Sequence, residues 1–155
     1  MSVERSRPQR SRRRLTEADY HALGAFRHAL RRFLAFSETG AVALGLTPQQ
    51  HQALLVVRAH AGRAPISVGE LAESLLIKNH SALGLVHRLV ARGLLSRAPA
   101  AEDRRRVALT LTPEGRRVLE SISRDNLGQL KSTLPIFTDL IEALQRLDAP
   151  PSDKA

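Results

Sequence analysis

The stretch from Ile66 to Gly115 constrains this chain most, because it orders a short helix, a turn, a longer helix and two strands. Ser67 and Glu70 have the spacing of a capping box, which predicts a helix over residues 68–74. A second helix is predicted over residues 79–92, and Gly93 is placed to end it. The apolar residues of this second helix recur at helical spacing and predict one buried stripe: Ala82, Leu85, Val86, Leu89 and Val90.

Two strands are predicted after Gly93, over residues 94–97 and 106–111. In the second strand Val107, Leu109 and Leu111 alternate with Arg106, Ala108 and Thr110, which predicts one buried and one exposed face. The loop between the strands, residues 99–105, is rich in arginine. Two strands with such a loop, directly after a helix-turn-helix, indicate a wing. The predicted fold is therefore mainly α with a small two-stranded β wing.

Three runs of sequence resemble a known family. They are Leu71-Ala72, residues 86–94, and residues 103–115, where an Asp-x-Arg pair leads into a strand and then into Leu-Thr-x-x-Gly. Together they resemble the MarR (multiple antibiotic resistance regulator) family of bacterial transcription factors. The resemblance implies a winged helix-turn-helix domain with N- and C-terminal dimerisation helices. It further implies a homodimeric regulator, most often a repressor, that binds a palindromic double-stranded operator.

Composition agrees with a nucleic-acid partner. The 155 residues carry a formal net charge of +9 and an isoelectric point near 11.4, which favours a polyanion, and DNA ahead of a membrane surface. No apolar run reaches transmembrane length and none follows the basic N-terminus as in a signal peptide, so a cytoplasmic location is expected. Cysteine is absent, which excludes disulfides and thiol sensing.

The chain divides by composition and helical periodicity. Residues 1–14 form a basic arm predicted to lack fixed structure, residues 15–148 one MarR-like domain, and residues 149–155 a flexible tail. Within the domain, the winged helix-turn-helix is assigned to residues 47–112, and the dimerisation helices to residues 15–39 and 113–148. A turn is expected over residues 40–46. The side chains expected at the dimer interface are apolar: Leu23, Phe26, Leu30, Ile136, Phe137, Leu140, Ile141 and Leu144.

The basic arm holds six arginines against one glutamate and shows no hydrophobic periodicity. It is either a solvated tail that aids solubility or an arm that follows DNA phosphates or lies in a minor groove. On the second interpretation the DNA contacts include four of its arginines: Arg10, Arg12, Arg13 and Arg14.

The second helix and the wing hold the other candidate DNA contacts. On the recognition helix they are Lys78, Asn79, His80, Ser81, Gly84, His87 and Arg88, with Lys78 and Arg88 assigned to phosphates. In the wing they are Arg97, Asp103, Arg104, Arg105 and Arg106. Arg105 is the candidate for the minor groove, oriented by Asp103. Family members commonly carry Ser or Thr where this chain begins its helix with Lys78-Asn79, so the cap is expected either to come from Asn79 or to be replaced.

Other functions find less support. Neither His21 and His28 nor His80 and His87 bring two ligands within one helical turn, so no metal site and no cofactor are predicted, although a metal-responsive regulator remains a third alternative. No nucleophile–base pair or phosphate-binding glycine loop indicates an enzyme. The main rival is an architectural DNA-binding protein with low sequence specificity, which Leu83 and Ala91 on the reading face favour. By resemblance, a small aromatic or phenolic effector would lie between the dimerisation helices and the winged domain, with its ligand-binding residues unknown.

Overall fold

The computed structural model describes residues 14–60, 65–99 and 107–148. In these residues the mainly α fold with a two-stranded wing is confirmed. The elements are α1 (Glu17–Ala43), α2 (Pro48–Ala59), α3 (Val68–Ser74), α4 (Asn79–Ala91), β1 (Leu95–Pro99), β2 (Val107–Leu111), α5 (Pro113–Lys131) and α6 (Leu134–Asp148). The predictions for the arm over residues 1–13, most of the wing loop and the tail over residues 149–155 lie outside the described residues.

Helix α1 is longer than predicted. The expected end at Thr39 and the expected turn over residues 40–46 are wrong, because the helix continues through Gly40 to Ala43. Ala41 is fully buried in the core, and such packing holds a segment helical despite a glycine. After the helix ends at Ala43, Gly45 has a φ of +70°, and Leu46 N–H donates to the Ala41 carbonyl at 2.9 Å. This is the Schellman arrangement, with glycine at its left-handed position.

The chain forms two compact units. Of the described residues, those up to Arg31 and from Ser132 onward belong to the first unit, and those within Arg32–Lys131 belong to the second. Helix α1 contributes to both. In the second unit, helices α2 to α5 and the wing strands enclose one hydrophobic core whose largest fully buried side chains are leucines, with one isoleucine and one valine: Leu46, Leu54, Leu71, Leu85, Leu89, Leu95, Leu109, Ile66 and Val86.

Local hydrogen bonds set the starts of α2 and α3, and the capping box predicted for α3 is confirmed. Thr47 and Gln50 form a capping box, with Pro48 at the first helical position. Ser67 and Glu70 form the second box, in which Ser67 N–H donates to Glu70 Oε2 at 2.8 Å. Each box satisfies amides that a helix start leaves without partners.

The wing strands pair antiparallel, from Leu95 opposite Leu111 to Pro99 opposite Val107. Strand β1 is therefore displaced from the predicted residues 94–97, and Pro99 belongs to the strand instead of the loop. The predicted exposure of Ala108 is also wrong, since only 7% of it is accessible. Helices α2, α3 and α5 all contact β2, and they cover more of the strand than an alternating pattern allows.

The base of the wing is joined to α5 by a close backbone approach. The Leu94 carbonyl accepts from Thr112 N–H at 3.1 Å, and Thr112 Oγ1 donates to the Gly93 carbonyl at 2.6 Å. A Cβ placed on Gly115 would lie 2.1 Å from the same Leu94 oxygen. This contact explains the glycine at the end of the Leu-Thr-x-x-Gly run.

The first compact unit packs the start of α1 against α6. The Phe26 and Phe137 rings meet edge to face with centroids 6.0 Å apart. Asp19, only 8% exposed, accepts from Thr16 and lies 3.6 Å from Arg146 Nε. Asp19 N–H donates to Thr16 Oγ1 at 3.3 Å, so Thr16 caps α1. Helix α6 begins at Leu134, and Pro135 fits its first turn, where no N–H is required.

No helix among the described ranges is both long and apolar enough to cross a membrane.

Candidate nucleic-acid interface

Helix α4 presents one apolar face to the core and one polar face to solvent. Ala82, Leu85, Val86 and Leu89 are buried, so the predicted stripe is confirmed, with Val90 partly buried at its end. Burial of this stripe fixes the rotation of the helix about its own axis. The remaining positions of α4 are consequently turned outward.

The outward positions include most of the residues predicted to contact bases. Asn79, His80, Ser81 and His87 are exposed, whereas Gly84 is partly buried. Leu83, at 38% exposure, adds an apolar side chain to the same surface. Among the exposed groups are amide, imidazole and hydroxyl side chains, which can donate to and accept from base edges.

Of the two expectations for the start of α4, a cap supplied by Asn79 is wrong. Lys78 is the N-cap residue, no side chain caps the helix there, and Asn79 is the first helical residue. A lysine has no acceptor atom, so it cannot bond the first-turn amides as Asn or Ser would. No acidic residue lies in the first turn of α4. The partial positive charge of the helix N-terminus and the charge of the Lys78 ammonium therefore add to each other.

Arg88 lies one helical turn after Gly84 on the exposed side of α4. Its Nη1 atom is 3.5 Å from the position that a Cβ on Gly84 would occupy. The guanidinium therefore lies back over the glycine, and an added methyl would make only an ordinary contact with it.

Arg92, which the sequence analysis did not select, ties the end of α4 to the turn between α1 and α2. Its Nη1 donates to the Gly45 carbonyl at 2.6 Å and to Gln50 Oε1 at 3.3 Å. The same Gln50 oxygen accepts from Thr47 N–H in the α2 capping box. Arg92 and Gly45 are 47 residues apart, so no local spacing pointed to this contact.

The wing is described at its strands. Arg97 is exposed on β1 opposite Leu109, and Ser96 and Thr110 share a hydroxyl hydrogen bond of 2.6 Å on the neighbouring pair. The other predicted wing contacts lie outside the described residues: Asp103, Arg104, Arg105 and Arg106. The arm residues Arg10, Arg12 and Arg13 also lie outside, while Arg14 is described and exposed.

One cavity of about 320 Å³ lies in the second compact unit, between the last turns of α1 and the middle of α5. Asp125 is the ionisable side chain among the residues that line it, which are Phe36, Thr39, Gly40, Ala43, Leu44, Ser121, Ile122, Asp125 and Asn126. Next to it, Asn126 Nδ2 donates to Ser37 Oγ at 2.9 Å, a buried bond between α5 and α1. The cavity is thus an apolar space with one carboxylate.

His51 is a second buried polar side chain of this unit, on α2. It is 4% exposed and its Nε2 has no hydrogen-bond partner. Burial lowers the pKa of His51 below its ordinary value of 6.5, because desolvation penalises the charged imidazolium.

The segment that contains this site matches a family model. Residues 44–106, from the α1–α2 turn into the wing loop, match the model described as MarR family. This segment of the chain is therefore similar to MarR-family proteins, in agreement with the resemblance drawn from the sequence runs.

Three proteins named as regulatory or DNA-binding are similar to this chain. The transcriptional activatory protein BadR of Rhodopseudomonas palustris is 27% identical, with 67% of each chain covered. A mutant of Staphylococcus aureus MepR, solved bound to an oligodeoxyribonucleotide, shares the fold with a TM-score of 0.61 at 21% identity, covering 87% of this chain and 100% of that one. Bordetella bronchiseptica BpsR, whose DNA binding is regulated by 6-hydroxynicotinic acid, has a TM-score of 0.58 at 24% identity, with 83% and 99% covered.

Proposed function

We propose that this chain acts in the cytoplasm as a homodimeric, sequence-specific repressor of the MarR type on a palindromic operator, relieved by a small ligand. The observation that carries this proposal is the exposed polar face of α4, held outward by a fully buried stripe. A helix presented in this way fits the DNA major groove, which displays a distinct donor and acceptor pattern for each base pair.

Two groups of residues support distinct roles in DNA binding. Asn79, His80 and Ser81 lie in the first turn of α4, the part of a recognition helix that meets base edges. Lys78 and Arg97 are exposed cations beside it and in the wing, suited to phosphates. The wing arginines and the arm would extend the same contact along the duplex.

Exposed apolar residues of the first compact unit support a homodimer. Leu23, Leu30, Ile141, Leu144 and Leu147 are each 43% to 53% exposed, although they lie on helices that already pack against each other. A second copy of the chain would bury them, and a two-fold axis would pair two recognition helices with two half-sites about one helical turn apart.

The cavity between α1 and α5 supports an effector site. Its apolar wall suits an aromatic ring, and the Asp125 carboxylate can accept a hydrogen bond from a phenolic hydroxyl. The same carboxylate would repel a benzoate-type anion. We therefore expect neutral phenols to release DNA at lower concentration than aromatic carboxylates of equal size do.

The test of this proposal is selection of bound fragments from random duplex DNA at physiological salt. Recovery of an inverted repeat supports a site-specific dimer. Tight binding without any recovered motif would instead support the architectural protein, for which Leu83 on the reading face is the favouring observation. Salt concentration is held fixed, because phosphate contacts make all affinities salt-dependent.

Paired variants assign the residues. His80→Ala should lower affinity for the selected duplex about tenfold with little change on random DNA, as loss of a base contact does. Arg97→Ala should lower affinity for both duplexes alike, as loss of a phosphate contact does. Arg124→Ala, an exposed arginine paired with Glu120 on α5, is the matched control and should change neither.

Sedimentation tests the dimer. Leu144→Asp should weaken self-association, whereas Leu55→Asp, on α2 with a comparable 45% exposure, should leave it intact. Equal sedimentation of both variants would contradict the proposed interface. A reporter gene placed behind the selected site then shows whether the protein represses or activates transcription. This measurement is needed because BadR is named an activatory protein.

A further inference from the structure

The turn between α3 and α4 contains a leucine in an unusual position. Leu76 has a φ of +55°, the one non-glycine residue with positive φ in the part of the chain that the structure describes. It is also 93% exposed, whereas its neighbours Leu75 and Ile77 are partly buried against the core. Neither its backbone conformation nor its burial therefore favours leucine at this position.

Three helix ends of this protein use the same hydrogen-bond arrangement. After α1, Gly45 and Leu46 bond back to Val42 and Ala41, and after α4, Gly93 and Leu94 bond back to Val90 and Leu89 in the same way. After α3, Leu76 N–H donates to the Glu73 carbonyl at 3.1 Å, and Ile77 N–H to the Ala72 carbonyl at 3.0 Å. Leu76 thus occupies the left-handed position that glycine occupies in the other two turns.

The location of Leu76 connects it with the recognition helix. It lies two residues before Lys78, the N-cap of α4, and it shares a shallow surface depression with Asn79. Glu73 lines the same depression, and its carboxylate would repel a phosphate placed there. A DNA contact at this point is consequently apolar or directed to a base edge. In the major groove the apolar feature of base edges is the thymine 5-methyl group.

We propose that Leu76 is a specificity-determining residue, whose side chain packs against a thymine 5-methyl group beside the bases read by the first turn of α4. This rests on the proposed function as a site-specific DNA-binding protein. A leucine in a strained, solvent-exposed position lowers the stability of the free protein. When the protein binds DNA, removal of the leucine and thymine methyl groups from water would offset this loss.

The experiment uses the full chain and the duplex selected from random DNA, and compares Leu76→Gly with wild type. Glycine relieves the left-handed backbone, so its melting temperature should rise by a few degrees at fixed protein concentration. Its affinity for the selected duplex should nevertheless fall by about fourfold per half-site, the value for losing one buried methyl group. If Leu76 had a purely structural role, the melting temperature and the affinity for the selected duplex would change in the same direction.

Uracil replacement identifies the contacted base. Each thymine of the selected duplex is replaced in turn by uracil, which keeps pairing and removes only the 5-methyl group. Wild type should lose affinity at one symmetric pair of positions, and Leu76→Gly should lose none there. Leu76→Asn, which tolerates the left-handed conformation but is polar, should behave as the glycine variant does.

The outcomes separate the two proposals. If wild type shows no preference for any selected duplex, the proposed function fails. If wild type is site-specific but Leu76→Gly keeps its affinity and its uracil profile, the role of Leu76 is overturned and the proposed function stands. A glycine variant that changes self-association without changing the uracil profile would also overturn it, by assigning the leucine to a protein contact.

Discussion

Replacing Gly115 by alanine tests the join between the wing and α5. The added Cβ would lie 2.1 Å from the Leu94 carbonyl oxygen and 3.1 Å from Leu111 Cδ2. Because the first neighbour is backbone, no side-chain rotation can relieve the contact. The start of α5 would have to move by about 1 Å, which is the scale of overpacking that costs about 1–3 kcal/mol.

Two further contributions adjust this value. The Leu94 oxygen also accepts from Thr112 N–H, so the shift weakens a hydrogen bond worth about 1 kcal/mol. Alanine has a higher helix propensity than glycine, which returns up to about 1 kcal/mol. The expected net loss in the free energy of unfolding is about 1–3 kcal/mol, or roughly 3–10 °C in melting temperature for a chain of this length.

The assay is thermal and denaturant unfolding at one protein concentration, with Gly128→Ala as the matched control. Gly128 lies in the same helix, is exposed, and has no atom within 4 Å of an added Cβ. Its substitution should therefore stabilise the chain by about 0.5–1 kcal/mol. A Gly115→Ala variant as stable as wild type would refute the close approach of α5 to Leu94.

Three other perturbations have defined outcomes. Burial lowers the pKa of His51, so the unfolded chain takes up a proton on this histidine at a higher pH than the folded chain does. The free energy of unfolding should therefore fall as pH drops below about 6.5. His51→Met should reduce that fall, as measured by denaturant titrations at pH 7.5 and 5.5. Ser67→Ala removes one side of the α3 capping box and should cost about 1 kcal/mol in unfolding free energy, while Ser74→Ala, an exposed serine at the other end of α3, should cost less than half of that. Arg92→Met keeps the aliphatic stem but loses the hydrogen bond to the Gly45 carbonyl. It should lower DNA affinity several-fold in equilibrium titrations, while the circular dichroism spectrum stays that of wild type. Unchanged affinity would show that DNA binding does not depend on this hydrogen bond.

The elements that the sequence predicted are those set by neighbouring residues. The capping box at Ser67 joins positions three residues apart, and the stripe of α4 repeats within one helix. Such interactions are complete within a few residues, so their pattern is visible in the chain itself. The same reasoning placed Asn79, His80, Ser81 and His87 on an exposed face.

Tertiary packing decided the remainder. Burial of Ala41 carried α1 past its predicted end, contact with three helices buried Ala108, and the Leu94 carbonyl explained Gly115. The Arg92–Gly45 and Asn126–Ser37 bonds join residues 47 and 89 positions apart. The energy of these contacts depends on how separate elements meet in space, and no local spacing encodes it. The sequence by itself therefore determined the order of helices and strands and the exposed polar face of α4, and the packed structure determined where that face is anchored.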